Sequence, residues 1–82
     1  MDRQAFRETM LAFLRDASPG MTIDRVGDSD DLVDLGYIDS LRMMELILVL
    51  EETFGISILL EEIDSRALRT IDGIYDVVVH QP

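Results

Sequence analysis

The stretch Asp39-Ser40-Leu41 places a hydroxyl where an irregular, acidic run gives way to a helical pattern. At a helix start, free backbone N–H groups and the positive end of the helix dipole favour an anion, so a hydroxyl there is suited to carry a phosphate ester. Asp39 reads as the N-cap, which leaves Ser40 exposed in the first turn. Because Asp and Ser are both favoured caps, the residues alone leave a second reading of Ser40 open, as a capping residue and no more.

Two other chemistries are tested by spacing. Asp28, Asp30, Asp31 and Asp34 crowd together, as calcium ligands do. Counted as an EF-hand loop from Asp28, however, the pattern puts Leu32 at the fifth position, Val33 at the obligatory glycine and Asp39 at the final glutamate. Incidental, weak divalent-ion binding is all that this spacing leaves open, and no metal ligand set is assigned. A serine hydrolase would need Gly-x-Ser-x-Gly around Ser40, where Ile38 and Arg42 stand instead. The single histidine, His80, lies near the C-terminus, and no nucleophile–base–orienter set can be assembled. The expectation is a protein without catalytic residues of its own.

The elements that position Ser40 follow from periodicity. Phe6, Met10, Phe13 and Leu14 have helical spacing, Asp2 can cap that helix, and Ser18-Pro19-Gly20 ends it. A long connection runs from Ala17 to Ile38 and carries Asp24, Asp28, Asp30, Asp31 and Asp34, with Asp39 just beyond it, against a single Arg25. Irregular runs of this length are uncommon in small domains and are often functional. Ile23, Val26, Leu32, Val33 and Leu35 are expected to pin it to the core. A second helix is predicted over Asp39 to Phe54, ended by Gly55. Ile56 to Leu60 reads as a buried loop, since no second strand is available to pair with it, and leads to a short helix near Glu61 to Asp64. The last helix is expected to start at the N-cap Thr70, with Ile71, Ile74, Tyr75, Val78 and Val79 as its apolar stripe. Gly73 inside it costs about 1 kcal/mol relative to alanine, and the pattern alone does not say why it is there.

Composition bounds the rest. The chain has 82 residues, which suits a single domain over 1–82. Cysteine is absent, so no disulfide framework or thiolate metal site is possible. The N-terminus lacks the basic-then-apolar layout of a signal peptide, and the longest apolar run, Leu46 to Leu50, is too short to span a bilayer. A cytoplasmic location and no membrane insertion are expected. With 17 acidic and 7 basic residues the formal charge is −10, a sign that opposes nucleic acid and favours partners with basic patches.

The stretch around Ser40 resembles the acyl carrier protein superfamily, which includes fatty-acid, polyketide, peptidyl and D-alanyl carriers. The resemblance is carried by Leu35-Gly36, Asp39-Ser40-Leu41, Glu45-Leu46, Leu50-Glu51-Glu52 and Phe54-Gly55-Ile56, and continues through Ile58, Glu61-Glu62-Ile63 and Thr70-Ile71. Asp-Ser-Leu alone is a weak motif; inside this spacing it is a specific one. The resemblance implies an all-α four-helix bundle with a long first loop and a short third helix. It implies 4′-phosphopantetheine attached to Ser40, with Asp39 and Leu41 in the surface read by a phosphopantetheinyl transferase. It also implies a loading enzyme, either an acyltransferase or an adenylating ligase, and a downstream synthase or transferase. The expected function is to carry an acyl or aminoacyl thioester between biosynthetic enzymes as a monomer. Peptidyl carriage, D-alanyl carriage and an unmodified carrier-like interaction domain are the alternatives. Ile38 stands where many fatty-acid carriers have a small residue, and the stretch from Asp64 to Thr70 is longer than theirs; both features are more like discrete carriers of specialised biosynthesis or D-alanyl transfer. Leu59-Leu60 stands where a proline or an acid is common.

Helical geometry divides the second helix into two apolar faces. Met43, Leu46, Ile47, Leu50 and Phe54 share one sector and are expected to be core. Leu41, Met44 and Leu48 fall opposite, beside Glu45 and Glu52, and are expected to stay exposed as a partner surface. The alternative is that the long loop or the third helix covers them. Glu45, Glu51 and Glu52 are expected to steer partners electrostatically.

Overall fold

The computed structural model describes residues 2–20, 23 and 26–80. Asp24 and Arg25, singled out above, lie outside the described residues. Among these, three α-helices form: α1 (Arg3–Ala17), α2 (Ser40–Phe54) and α3 (Ile71–Val79). The chain is all-helical, with no strand among the described residues. Between α2 and α3 lie two 3₁₀ turns, Leu60–Glu62 and Ser65–Arg69. The short helix expected near Glu61 to Asp64 is therefore only the 3₁₀ turn Leu60–Glu62, and the segment breaks at Ile63 and Asp64, both extended. Asp64 takes up the Arg66 N–H as a cap for the second turn, which restarts the helix direction before a first α-turn can close.

Each α-helix begins on a side-chain cap that the sequence announces. Asp2 accepts from the Gln4 N–H, Asp39 from the Arg42 N–H and Thr70 from the Gly73 N–H. Helix α2 ends at Gly55, which takes the left-handed conformation (φ 66°) at no steric cost. The β-branched run Val77 to Val79 completes α3 because Val78 is buried.

The core joins one face of each α-helix to the loop. Phe6, Met10 and Leu14 of α1, Leu46, Ile47 and Leu50 of α2, and Ile71, Ile74 and Val78 of α3 pack with Ile23, Val26, Leu32 and Ile38 from the first loop and with Ile58 and Leu68. Phe6 stacks on Phe54 at 6.0 Å between centroids and meets Tyr75 edge-on at 5.2 Å, so one aromatic ties the three helices together. No polar or charged residue is buried among the described residues. Met43 and Phe54 are half-buried against this core. Two expected anchors of the loop are not anchors: Val33 and Leu35 are exposed, because the chain turns outward between Leu32 and Ile38. Val79, placed in the α3 stripe, is exposed at the helix end.

The loop is fastened by arginines on other elements. Asp28 pairs with Arg3 and Arg7 of α1, Arg3 also pairs with Asp72 and lies over the Tyr75 ring at 4.5 Å, and the Asp72 N–H donates to the Asp28 carbonyl at 2.9 Å. Asp30 accepts from the Gly27 N–H at 2.8 Å. The acids that suggested a cation site thus hold backbone and guanidinium groups, and no three metal-ligating side chains converge among the described residues.

Gly73 has its reason in a close approach of α3 to the second 3₁₀ turn. A β-carbon built at Gly73 would lie 2.0 Å from the Ala67 carbonyl oxygen and 2.9 Å from its carbon. Helix propensity alone would make Gly73→Ala stabilising by about 1 kcal/mol. The clash is with backbone, which cannot rotate away, so overpacking decides the sign and the variant should lose about 1–3 kcal/mol. Urea unfolding followed by circular dichroism checks this; a stabilised variant would show that α3 and the 3₁₀ turn separate freely.

Candidate functional site

The loop reaches Ser40 through a closed turn. The Leu32 carbonyl accepts from the N–H groups of Tyr37 and Ile38 at 2.9 and 3.2 Å, and Gly36 adopts φ 83° to complete the reversal. Ile38 is buried, and Asp39 then caps α2 with its side chain 2.8 Å from the Arg42 N–H. A buried Ile38 followed by an exposed cap forces Ser40, the first residue of α2, onto the surface. A phosphate ester on its hydroxyl would sit at the positive end of a 15-residue helix.

Ser40 opens onto a cleft of about 590 Å³. One wall is the turn, through Val33 and Gly36; the second is α2, through Ser40 and Met43; the third is the second 3₁₀ turn, through Leu68 and Arg69. Met43, assigned above to the core face, therefore has a second role as a wall beside the hydroxyl. Arg69 was not singled out from sequence. Its signal lay in the acids: a loop with many carboxylates and one arginine needs cations from elsewhere, but the separation of 35 and 38 residues from Asp34 and Asp31 hides the pairing.

The expected partner residues fall on one side of α2. Leu41, Met44 and Leu48 are 68%, 50% and 56% exposed, so neither the loop nor the 3₁₀ turns cover them. Glu45 and Glu52 are exposed on the same side. Glu51 differs: half-buried, its carboxylate accepts from the Ile58 N–H at 2.9 Å and fixes the connection that follows α2. His80 is exposed, with Nδ1 2.6 Å from the Asp76 carbonyl and far in sequence from Ser40.

These features define a small all-helical domain that presents one serine hydroxyl at a helix start, beside an open cleft and an apolar, acidic helix face. The sequence profile of the phosphopantetheine attachment site family matches residues 19–78, and the chain belongs to that family. Members carry covalently attached 4′-phosphopantetheine, are in general carriers without catalysis of their own, and interact with phosphopantetheinyl transferases and partner enzymes. Ser40 fits the group by exposure, by its place at the helix start and by the cleft beside it. No curated protein matches the chain. Among the described residues no helix is long and apolar enough to cross a membrane.

Two carboxyls near the cleft are held below their ordinary range. The Asp34 backbone N–H, above all, lowers Asp31; burial is the next effect and opposes it, and Arg69 and the Val33 N–H add to the lowering. The Arg66 side chain, and then its backbone N–H, lowers Asp64. Both shifts stabilise the ionised form in the folded chain. Their stability contribution is therefore present above the ordinary value of 3.8 and is lost as pH falls below it through the lowered folded values. The urea midpoint should fall on acidification through this window, and Asp31→Asn should flatten part of that fall. An Asp31→Asn protein with the wild-type pH dependence would remove Asp31 from the account.

Proposed function

We propose that this chain is a single-domain acyl carrier whose 4′-phosphopantetheine arm is attached to Ser40. The observation that carries the reading is the exposed Ser40 hydroxyl at the start of α2, capped by Asp39 and bordered by the cleft. The arm supplies a thiol that holds cargo as a thioester. The protein supplies the rest: Asp39 fixes the helix start, Ser40 is the single point of attachment, and Met43 and Leu68 line the ground next to it. The cargo is an acyl or aminoacyl group delivered between cytoplasmic biosynthetic enzymes by a monomeric carrier, loaded by an acyltransferase or an adenylating ligase and unloaded by a synthase or transferase. In this reading the two 3₁₀ turns stand where a carrier's short third helix would complete a four-helix bundle.

Intact-mass spectrometry after incubation with a phosphopantetheinyl transferase and coenzyme A tests the assignment. Wild-type protein should gain one arm, and Ser40→Ala should keep its helicity and gain none. Modification of the Ser40→Ala protein would move the site elsewhere, and wild-type protein left unmodified by several broad-specificity transferases would favour an unmodified interaction domain.

The exposed side of α2 is the proposed recognition surface, with Asp39 and Leu41 at its Ser40 end, Met44 and Leu48 as apolar contacts, and Glu45 and Glu52 as steering charges. Interfaces that must form and release in each cycle are small and charge-steered. Reversing Glu45 and Glu52 to arginine should slow modification and make it less sensitive to salt, and Met44→Ala or Leu48→Ala should impair transfer while costing within about 0.5 kcal/mol of stability. Leu50→Ala, on the buried face, should cost roughly 2–5 kcal/mol. Rates that ignore both the charge reversal and salt would rule out steering by this face.

A further inference from the structure

The turn that delivers Ser40 is gripped by one residue from the far end of the chain. Arg69 Nε donates to Asp31 Oδ2 at 2.7 Å, and Arg69 Nη2 donates to Asp34 Oδ1 at 2.8 Å. The Arg69 carbonyl oxygen accepts from the Leu32 N–H at 2.7 Å. Side chain and main chain of the same residue thus hold Asp31, Leu32 and Asp34. Leu32 passes the constraint on, because its carbonyl receives the N–H groups of Tyr37 and Ile38, and the next two residues are the cap Asp39 and Ser40. The outward part of the turn has no apolar anchor of its own, since Val33 and Leu35 are exposed.

An exposed ion pair contributes little to stability on its own. Arg69 differs from one in geometry: a planar fork divides its donors between two carboxylates while the same residue's carbonyl holds the backbone between them. Asp31 is tied in turn to the Val33 and Asp34 N–H groups at 3.0 and 2.9 Å, so displacing its carboxylate frees the turn as well as the guanidinium. Arg69 also forms the cleft wall facing Ser40.

We propose that Arg69 is the positioning residue for Ser40: its hold on Asp31 and Asp34 sets the 31–38 turn and hence how the hydroxyl is presented to the enzyme that attaches the arm. The role in attachment rests on the reading of Ser40 given above; the hold on the turn does not. Arg69 acts through the turn, without contact to the reacting atoms, so its loss lowers the rate at saturating carrier more than the apparent affinity. Lysine keeps the charge but cannot divide a planar fork between two carboxylates.

The test uses the full chain before modification, as wild type, Arg69→Lys, Arg69→Gln and Asp34→Asn, with Val78→Ala as a core truncation that leaves Arg69 and its partners untouched. Amide resonances of Ile38 and Ser40 are compared by ¹⁵N NMR, urea unfolding is measured, and modification by one transferase with coenzyme A is followed at several carrier concentrations. Arg69→Gln should move the Ile38 and Ser40 amides and lower kcat about tenfold with KM changed far less. Arg69→Lys should recover only part of the rate, and Asp34→Asn should show a smaller loss of the same kind. Val78→Ala should destabilise while keeping both the amide positions and kcat. The proposal is overturned if Arg69→Gln leaves the Ser40 amide and kcat as in wild type, or if Val78→Ala lowers kcat as much. Should wild-type protein prove unmodified, the attachment reading fails, and the amide comparison still decides whether Arg69 sets the position of Ser40.

Discussion

Leu32 is where the last part of the long first loop joins the second 3₁₀ turn, and the presentation of Ser40 follows from it. Its side chain is fully buried, its N–H reaches the second 3₁₀ turn, and its carbonyl receives two N–H groups from the residues that lead into α2. A loop of this length has a large conformational entropy to lose, and scattered surface contacts would not hold it. Combining an apolar anchor with satisfied backbone groups at one residue fixes the loop at its last third, next to the helix it must start. The outward turn from Val33 to Gly36 then lies on the surface, between the buried Leu32 and the half-buried Tyr37.

The acidic residues do two different jobs. Asp28, Asp31 and Asp34 are turned inward along the surface, onto Arg3, Arg7 and Arg69, and close the loop over α1 and the second 3₁₀ turn. Glu45 and Glu52 have no such task and stand out from α2 beside Leu41, Met44 and Leu48. Glu51 shows how small the difference in position is: one residue before Glu52, it faces the connection after α2 and holds the Ile58 N–H. A helix packed on one side divides neighbouring acids in this way, since adjacent positions are about 100° apart. Each Asp–Arg pair cancels within the net charge, so the excess of −10 rests on acids without an arginine partner, Glu45 and Glu52 among them.

Much of this was legible in the chain, for local reasons. The caps at Asp2, Asp39 and Thr70 and the stop at Gly55 depend on side-chain and backbone chemistry within three or four residues, and all four act as their types dictate. The two faces of α2 follow from periodicity, and a helix in so small a domain can bury only one of them. The readings that changed were those in which a turn or a cap overrides what composition alone suggests. Val33 and Leu35 are apolar, yet the Leu32 turn carries them outward. Glu61 to Asp64 has helical composition, yet capping by Asp64 divides the segment into two 3₁₀ turns.

By itself the sequence determined which residue starts α2, that a serine hydroxyl stands there, and which side of that helix is apolar enough to be core. Those properties depend on contacts within a turn or two of the chain. Only the tertiary structure decided that Gly73 is required by the Ala67 carbonyl, that Leu68 lines the cleft beside Ser40, and that Arg69 answers the charges of Asp31 and Asp34. The reason is that each joins residues brought together by packing rather than by spacing, and across more than a few residues no periodicity records which partner packing will choose.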